Sequence, residues 1–138
     1  MRAEQYLMGY RTLLSQMAEL EDRITEARIT GKDTASMEAE RERLRRSGEM
    51  KKKEILSFIA QVGDGEDARI LRVRQALRLY YCQLLPWGEV RRLLRPLVLR
   101  KGAAETNLRR KPGISKTGML RVREEALAAA EAALTAWE

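Results

Sequence analysis

The chain contains no histidine and a single cysteine, Cys82. Without imidazole there is no histidine general base, no Ser–His or Cys–His nucleophile pair, and no zinc site that needs a nitrogen ligand. One thiol makes neither an internal disulfide nor a thiolate metal cluster, and a reducing cytoplasm is the simplest home for it. Aromatic residues are only 5% of the chain, so the core must be largely aliphatic. No stretch reaches the roughly 18 uninterrupted apolar residues of a membrane span. Met1-Arg2-Ala3-Glu4-Gln5 runs straight into an amphipathic pattern and does not read as a signal peptide. Scattered carboxylates are all that remain for catalysis, so the expectation is a protein that is not an enzyme and needs no cofactor or metal.

What is abundant is charge. Of 138 residues, 34% are charged, and 27 Lys and Arg against 20 Asp and Glu give a net charge of +7. The excess is concentrated: residues 69–123 carry 15 basic residues against only Glu89 and Glu105. Such a block suits a polyanionic partner. The length allows one ordinary domain, or a small domain with a helical extension.

Tyr6, Tyr10, Leu13, Met17, Leu20, Ile24 and Ala27 are spaced 4, 3, 4, 3, 4, 3. This is the seven-residue repeat of a coiled-coil seam, and it predicts a helix roughly 40 Å long that Gly31 ends. Asp33 is placed to cap a second helix, about 34–62, with Met37, Leu44, Ile55, Phe58, Ile59 and Val62 on one side and a weak point at Ser47-Gly48. Run antiparallel, the apolar end of this helix meets residues 6–14. The expectation is a long antiparallel helical hairpin over residues 1–62, serving packing or oligomerisation.

Gly63-Asp64-Gly65 breaks the chain, and Asp64 and Asp67 read as turn and cap residues. A third helix is expected over about 66–84, with Ile70, Val73, Leu77, Tyr80, Tyr81 and Leu84 apolar. A short fourth helix over 86–95 starts at Pro86, buries Trp87, Val90, Leu93 and Leu94, and stops at Pro96. Leu97-Val98-Leu99 suits a strand or a short helix, whereas Gly102 and Asn107 favour loop. A last helix follows the N-cap Ser115 and continues through Met119, Val122, Ala126, Leu127, Ala130 and Leu134 to Trp137. The helical spacing of Tyr80, Tyr81 and Trp87 points to core packing rather than base stacking, and Cys82 reads as a small core residue. The fold class is all-α, with residues 63–138 forming a basic helical domain.

Two segments carry a resemblance. Leu77-Arg78-Leu79-Tyr80-Tyr81-Cys82-Gln83-Leu84-Leu85-Pro86-Trp87-Gly88-Glu89-Val90 is similar to the first part of a sigma-factor region-four helix-turn-helix. Gly113-Ile114-Ser115-Lys116-Thr117-Gly118-Met119-Leu120-Arg121-Val122-Arg123-Glu124-Glu125-Ala126-Leu127 resembles that family's turn and recognition helix. With the hairpin in front, the chain resembles phage-encoded transcriptional regulators of the ArpU and RinA type. It departs from them in spacing: Ser115 stands 28 residues after Trp87, where the family has about ten, so residues about 96–112 form an insert. Gly118 and Leu120 also occupy places where polar or basic residues are usual.

The resemblance implies a phage or prophage DNA-binding transcriptional regulator whose partner is double-stranded DNA. Lys116, Thr117 and Arg121 would face base edges, Arg121 best suited to a bidentate guanine contact, while Ser115 caps the helix and touches a phosphate. Arg123, on the same helix, would be a further DNA-binding residue. Arg91, Arg92 and Arg95 would line the supporting helix. Arg100, Lys101, Arg109, Arg110 and Lys111 would make the insert a basic wing on the phosphates. The hairpin would build a homo-oligomer or hold RNA polymerase or another nucleic-acid enzyme. Two other readings suit the same residues: a protein inhibitor or adaptor of a nucleic-acid enzyme, and a small terminase-type DNA-packaging subunit.

Overall fold

The computed structural model describes residues 2–63, 65, 67–94 and 114–137. The described residues form six α-helices and one π-helical turn, with no strand. The heptad helix is interrupted once, at Met8, giving α1 (Arg2–Leu7) and α2 (Gly9–Ile29). Hydrogen bonding carries across the break, Met8 N–H donating to the Glu4 carbonyl and Thr12 N–H to that of Met8, both at 2.9 Å. At Gly9 an added Cβ would stand 2.6 Å from Lys51 Cε, so the end of that flexible side chain would have to move aside. Gly31 ends α2 as the spacing predicts, at φ +72°. Its N–H donates to the Arg28 carbonyl and that of Lys32 to the Ala27 carbonyl, the paired bonds of a Schellman stop.

α3 (Ala35–Ala60) starts where Asp33 Oδ1 accepts the Ala35 N–H at 3.0 Å. It lies antiparallel to α2. Arg41 pairs with Glu21 at 3.2 Å near the connection, and Tyr6 Oη donates to Glu54 Oε1 at 3.0 Å at the far end. The weak point expected at Ser47-Gly48 is absent: α3 runs through it, and Gly48 is buried. An added Cβ there would be 3.8 Å from Tyr10 Cε1 and 4.0 Å from Met17 Sδ, so the bare backbone is a seat for the α2 seam.

Gly63 and Gly65, both at φ +82°, make the turn into α4 (Ala68–Leu77). Asp67 caps α4 by accepting the Ile70 N–H at 2.9 Å, and Arg74 Nε ties the helix back to the Val62 carbonyl at 2.9 Å. The uniform helix expected to 84 is corrected. After Leu77 the chain widens into a π-helical turn, Arg78–Cys82, and Leu84 adopts φ +61°. Across the turn Leu79 joins one apolar cluster, Tyr81 and Cys82 another, and Tyr80 touches both.

α5 (Trp87–Leu93) begins after Pro86, and here too one expectation fails. Leu93 is half exposed; Leu94, its backbone already extended, turns inward in its place and is fully buried. α6 (Lys116–Trp137) follows Ser115. Pro96, Leu97-Val98-Leu99, Gly102, Asn107 and Asp64 lie outside the described residues.

The larger cluster gathers Ala3 and Leu7 of α1, Ile55, Phe58 and Ile59 of α3, Val73 and Leu77 of α4, and Ala126 and Ala130 of α6, so residues on both sides of 62/63 contribute to one core. Ala3 N–H donates to Glu131 Oε2 at 2.8 Å, fixing α1 along the far half of α6. The smaller cluster of Ala76, Leu79, Val90, Leu94, Met119 and Val122 supports the near half. Among the described residues no helix is long and apolar enough to cross a membrane.

Candidate nucleic-acid interface

The first turns of α6 are amphipathic with a sharp division. Met119 and Val122 are buried against Ala76, Leu79 and Val90. Ser115, Lys116, Thr117, Leu120, Arg121 and Glu124 are exposed along the opposite side. At helical spacing these positions form one outward strip. Ser115 begins it as the sequence suggests, its Oγ accepting the Gly118 N–H at 3.0 Å. An added Cβ at Gly118 would lie 3.1 Å from Ser115 Oγ, so the capping side chain would have to give by a few tenths of an ångström.

Among the described residues neither Lys116 nor Arg121 takes part in an ion pair, although Arg92, Arg45 and Arg41 all do. Lys116 sits at the positive end of the helix macrodipole, where a cation is unfavourable unless an anion arrives. Leu120 is 60% exposed between Thr117 and Arg121. The apolar stripe read from the sequence, Met119, Val122 and Ala126, leaves Leu120 out, and the structure leaves it exposed. An exposed aliphatic side chain on such a strip fits the methyl group of thymine.

The remaining candidates divide. Arg123 is half-buried and turned away from the strip, its guanidinium 5.2 Å from the centroid of the Trp87 ring. Trp87 in turn stacks on Tyr80 at 4.1 Å, and Arg11 of α2 lies 4.6 Å from the Tyr80 ring centroid while donating to the Tyr80 carbonyl at 3.2 Å. The three aromatics are thus packed, as their spacing predicts, and hold two arginines between α2 and α6. Arg92 is exposed and paired with Glu89 at 3.0 Å. Arg91 is half-buried, and its Nη1 donates to the Ile114 carbonyl at 3.3 Å. Arg95, Arg100, Lys101, Arg109, Arg110 and Lys111 lie outside the described residues.

Sequence reasoning also missed Arg72 of α4. Its guanidinium is half-buried, with Nε lacking a hydrogen-bond partner among the described residues. Burial pulls its pKa below the usual arginine value; the charge of Glu125 on α6 opposes that and Arg69 adds to it. Glu125 thus supplies some compensation where α4 meets α6, and the cationic block is less bare there than its composition suggests. The chain matches no known family model, no curated protein and no solved structure.

Proposed function

We propose that the protein is a non-enzymatic DNA-binding transcriptional regulator of the phage or prophage type, gripping duplex DNA through a sigma-region-four-like helix-turn-helix. The reading helix is α6. Lys116, Thr117 and Arg121 contact base edges, Leu120 adds an apolar contact, and Ser115 with the free N–H groups of the first turn meets a phosphate. α4, the π-helical turn and α5 form the support. The observation that carries this reading is the outward strip from Ser115 to Arg121, uncovered by the other described helices and backed by buried Met119 and Val122. The antiparallel α2–α3 pair is the element left to join a second copy or to hold RNA polymerase.

Footprinting on fragments of the genome that encodes the protein, at two salt concentrations, tests the proposal. Protection of discrete sites is the expected result. Absence of protection at either salt concentration would sink it, and would favour a protein adaptor that uses the cationic surface on an acidic partner. A high-order ring in a mass measurement would favour the DNA-packaging reading instead.

A further inference from the structure

Arg91 and Ile114 are 23 residues apart in sequence, yet two hydrogen bonds join them in opposite senses. The Ile114 N–H donates to the Arg91 carbonyl at 3.1 Å, and Arg91 Nη1 donates to the Ile114 carbonyl at 3.3 Å. Ile114 also packs on the smaller apolar cluster with Val90 of α5, Leu94 just after it, and Met119 and Val122 of α6. The next residue, Ser115, caps α6. Leu94 and Ile114 stand twenty positions apart in sequence, so no short turn joins α5 to α6. The paired bonds do what a short turn would otherwise do.

We infer that Arg91 is a positioning residue for the reading helix and not a phosphate contact: its main chain and guanidinium clamp Ile114, and so set the direction in which α6 presents Lys116, Thr117 and Arg121. The inference rests on the proposed DNA-binding role of α6 for its consequence, but the clamp itself does not. Arginine suits the post because a long side chain with several donors can reach a main-chain carbonyl from the neighbouring helix while its stem covers apolar surface.

Two substitutions separate the roles. In Arg91→Ala the guanidinium bond is lost, and preference for the protected site over unrelated duplex falls about three- to ten-fold, the size of one hydrogen bond. The slope of log affinity against log salt stays as in the unaltered protein. Arg91→Lys keeps the charge but not the planar fork, and behaves like the alanine variant. Amide hydrogen exchange of the DNA-free protein gives an independent arm: Ile114 and Gly118 exchange faster in Arg91→Ala, while amides in the middle of α3 do not change.

A salt slope shallower by about 0.9 with site preference intact would assign Arg91 to a phosphate and overturn the inference. So would full rescue by lysine, or unchanged exchange at Ile114 and Gly118. If the unaltered protein binds no duplex, the proposed function falls, and the exchange arm alone decides the clamp.

Discussion

Arg121 carries the sharpest expectation at the scale of single residues. Arg121→Ala should weaken binding to the preferred site by about 1–3 kcal/mol and relax one base position, read by competition with single-base variants of the site. Gly48 tests packing instead. The space above it accepts one methyl at ordinary contact distance from Tyr10 and Met17. Gly48→Ala should therefore stabilise the fold by about 0.5–1 kcal/mol through helix propensity, seen in thermal melts, whereas Gly48→Leu should destabilise it. The sequence marks Gly48 as a breaker; only the approach of α2 makes it a contact surface. For the same reason the destinations of Arg91 and Arg123, a main-chain carbonyl and an indole face, were illegible beforehand. A basic residue in a basic block looks like a phosphate ligand until the neighbouring helix is in place.

Buried titratable groups give a pH dependence. Burial pushes the Cys82 thiol up, against the opposing charges of Lys52 and Arg78. Burial likewise pushes the Tyr81 hydroxyl up to about 12, aided by Glu4 and Tyr80 and opposed by Arg123 and Arg11. Both groups ionise more easily in the unfolded chain. Their contribution to stability is therefore whole below the ordinary thiol range and is lost as pH climbs through it and then through the tyrosine range. Denaturant midpoints should fall in alkaline solution from about pH 9 upward, and Cys82 should react with thiol reagents only as fast as the protein opens.

At the scale of elements, the helices were legible where their spacing was regular. The 4, 3 alternation from Tyr6 to Ala27 and the Gly31 stop emerged as expected, and so did the start of α6. The interruption at Met8 and the π-helical turn were not legible, because the apolar pattern on either side is compatible with continuous helix. Their surroundings show only in the fold: Ala3 and Leu7 bury in the cluster that holds Ala126 and Ala130 of α6, and Tyr80 in the π-helical turn touches both clusters. α6 depends on its cap. Ser115→Ala should cost about 1 kcal/mol in stability and, by fraying the reading turn, reduce site preference more than salt sensitivity. A melt alongside a salt titration of binding checks both parts.

For the whole molecule, the shared core couples the two ends of the sequence. Leu7 is fully buried in the cluster that holds Ala126 and Ala130. Leu7→Ala should cost about 2–5 kcal/mol and lower the unfolding midpoint of α6 together with that of α2 and α3, a single transition by circular dichroism and by exchange at α6 amides. Separate transitions would show two independent units. Electrostatics also acts at this scale. If six to eight phosphates are neutralised, log affinity for DNA falls with log salt at a slope of roughly −5 to −7.

The two tryptophans stand at opposite ends of α6's environment. Trp87 is stacked on Tyr80 beside the first turns, and Trp137 is stacked on Phe58 at 5.3 Å with half its surface open to water. Each end of the helix therefore carries its own intrinsic fluorophore. Emission from a protein keeping only Trp87 reports events at the reading turn, and emission from one keeping only Trp137 reports the seam with α1 and α3, so the helix can be watched from both ends without an added dye.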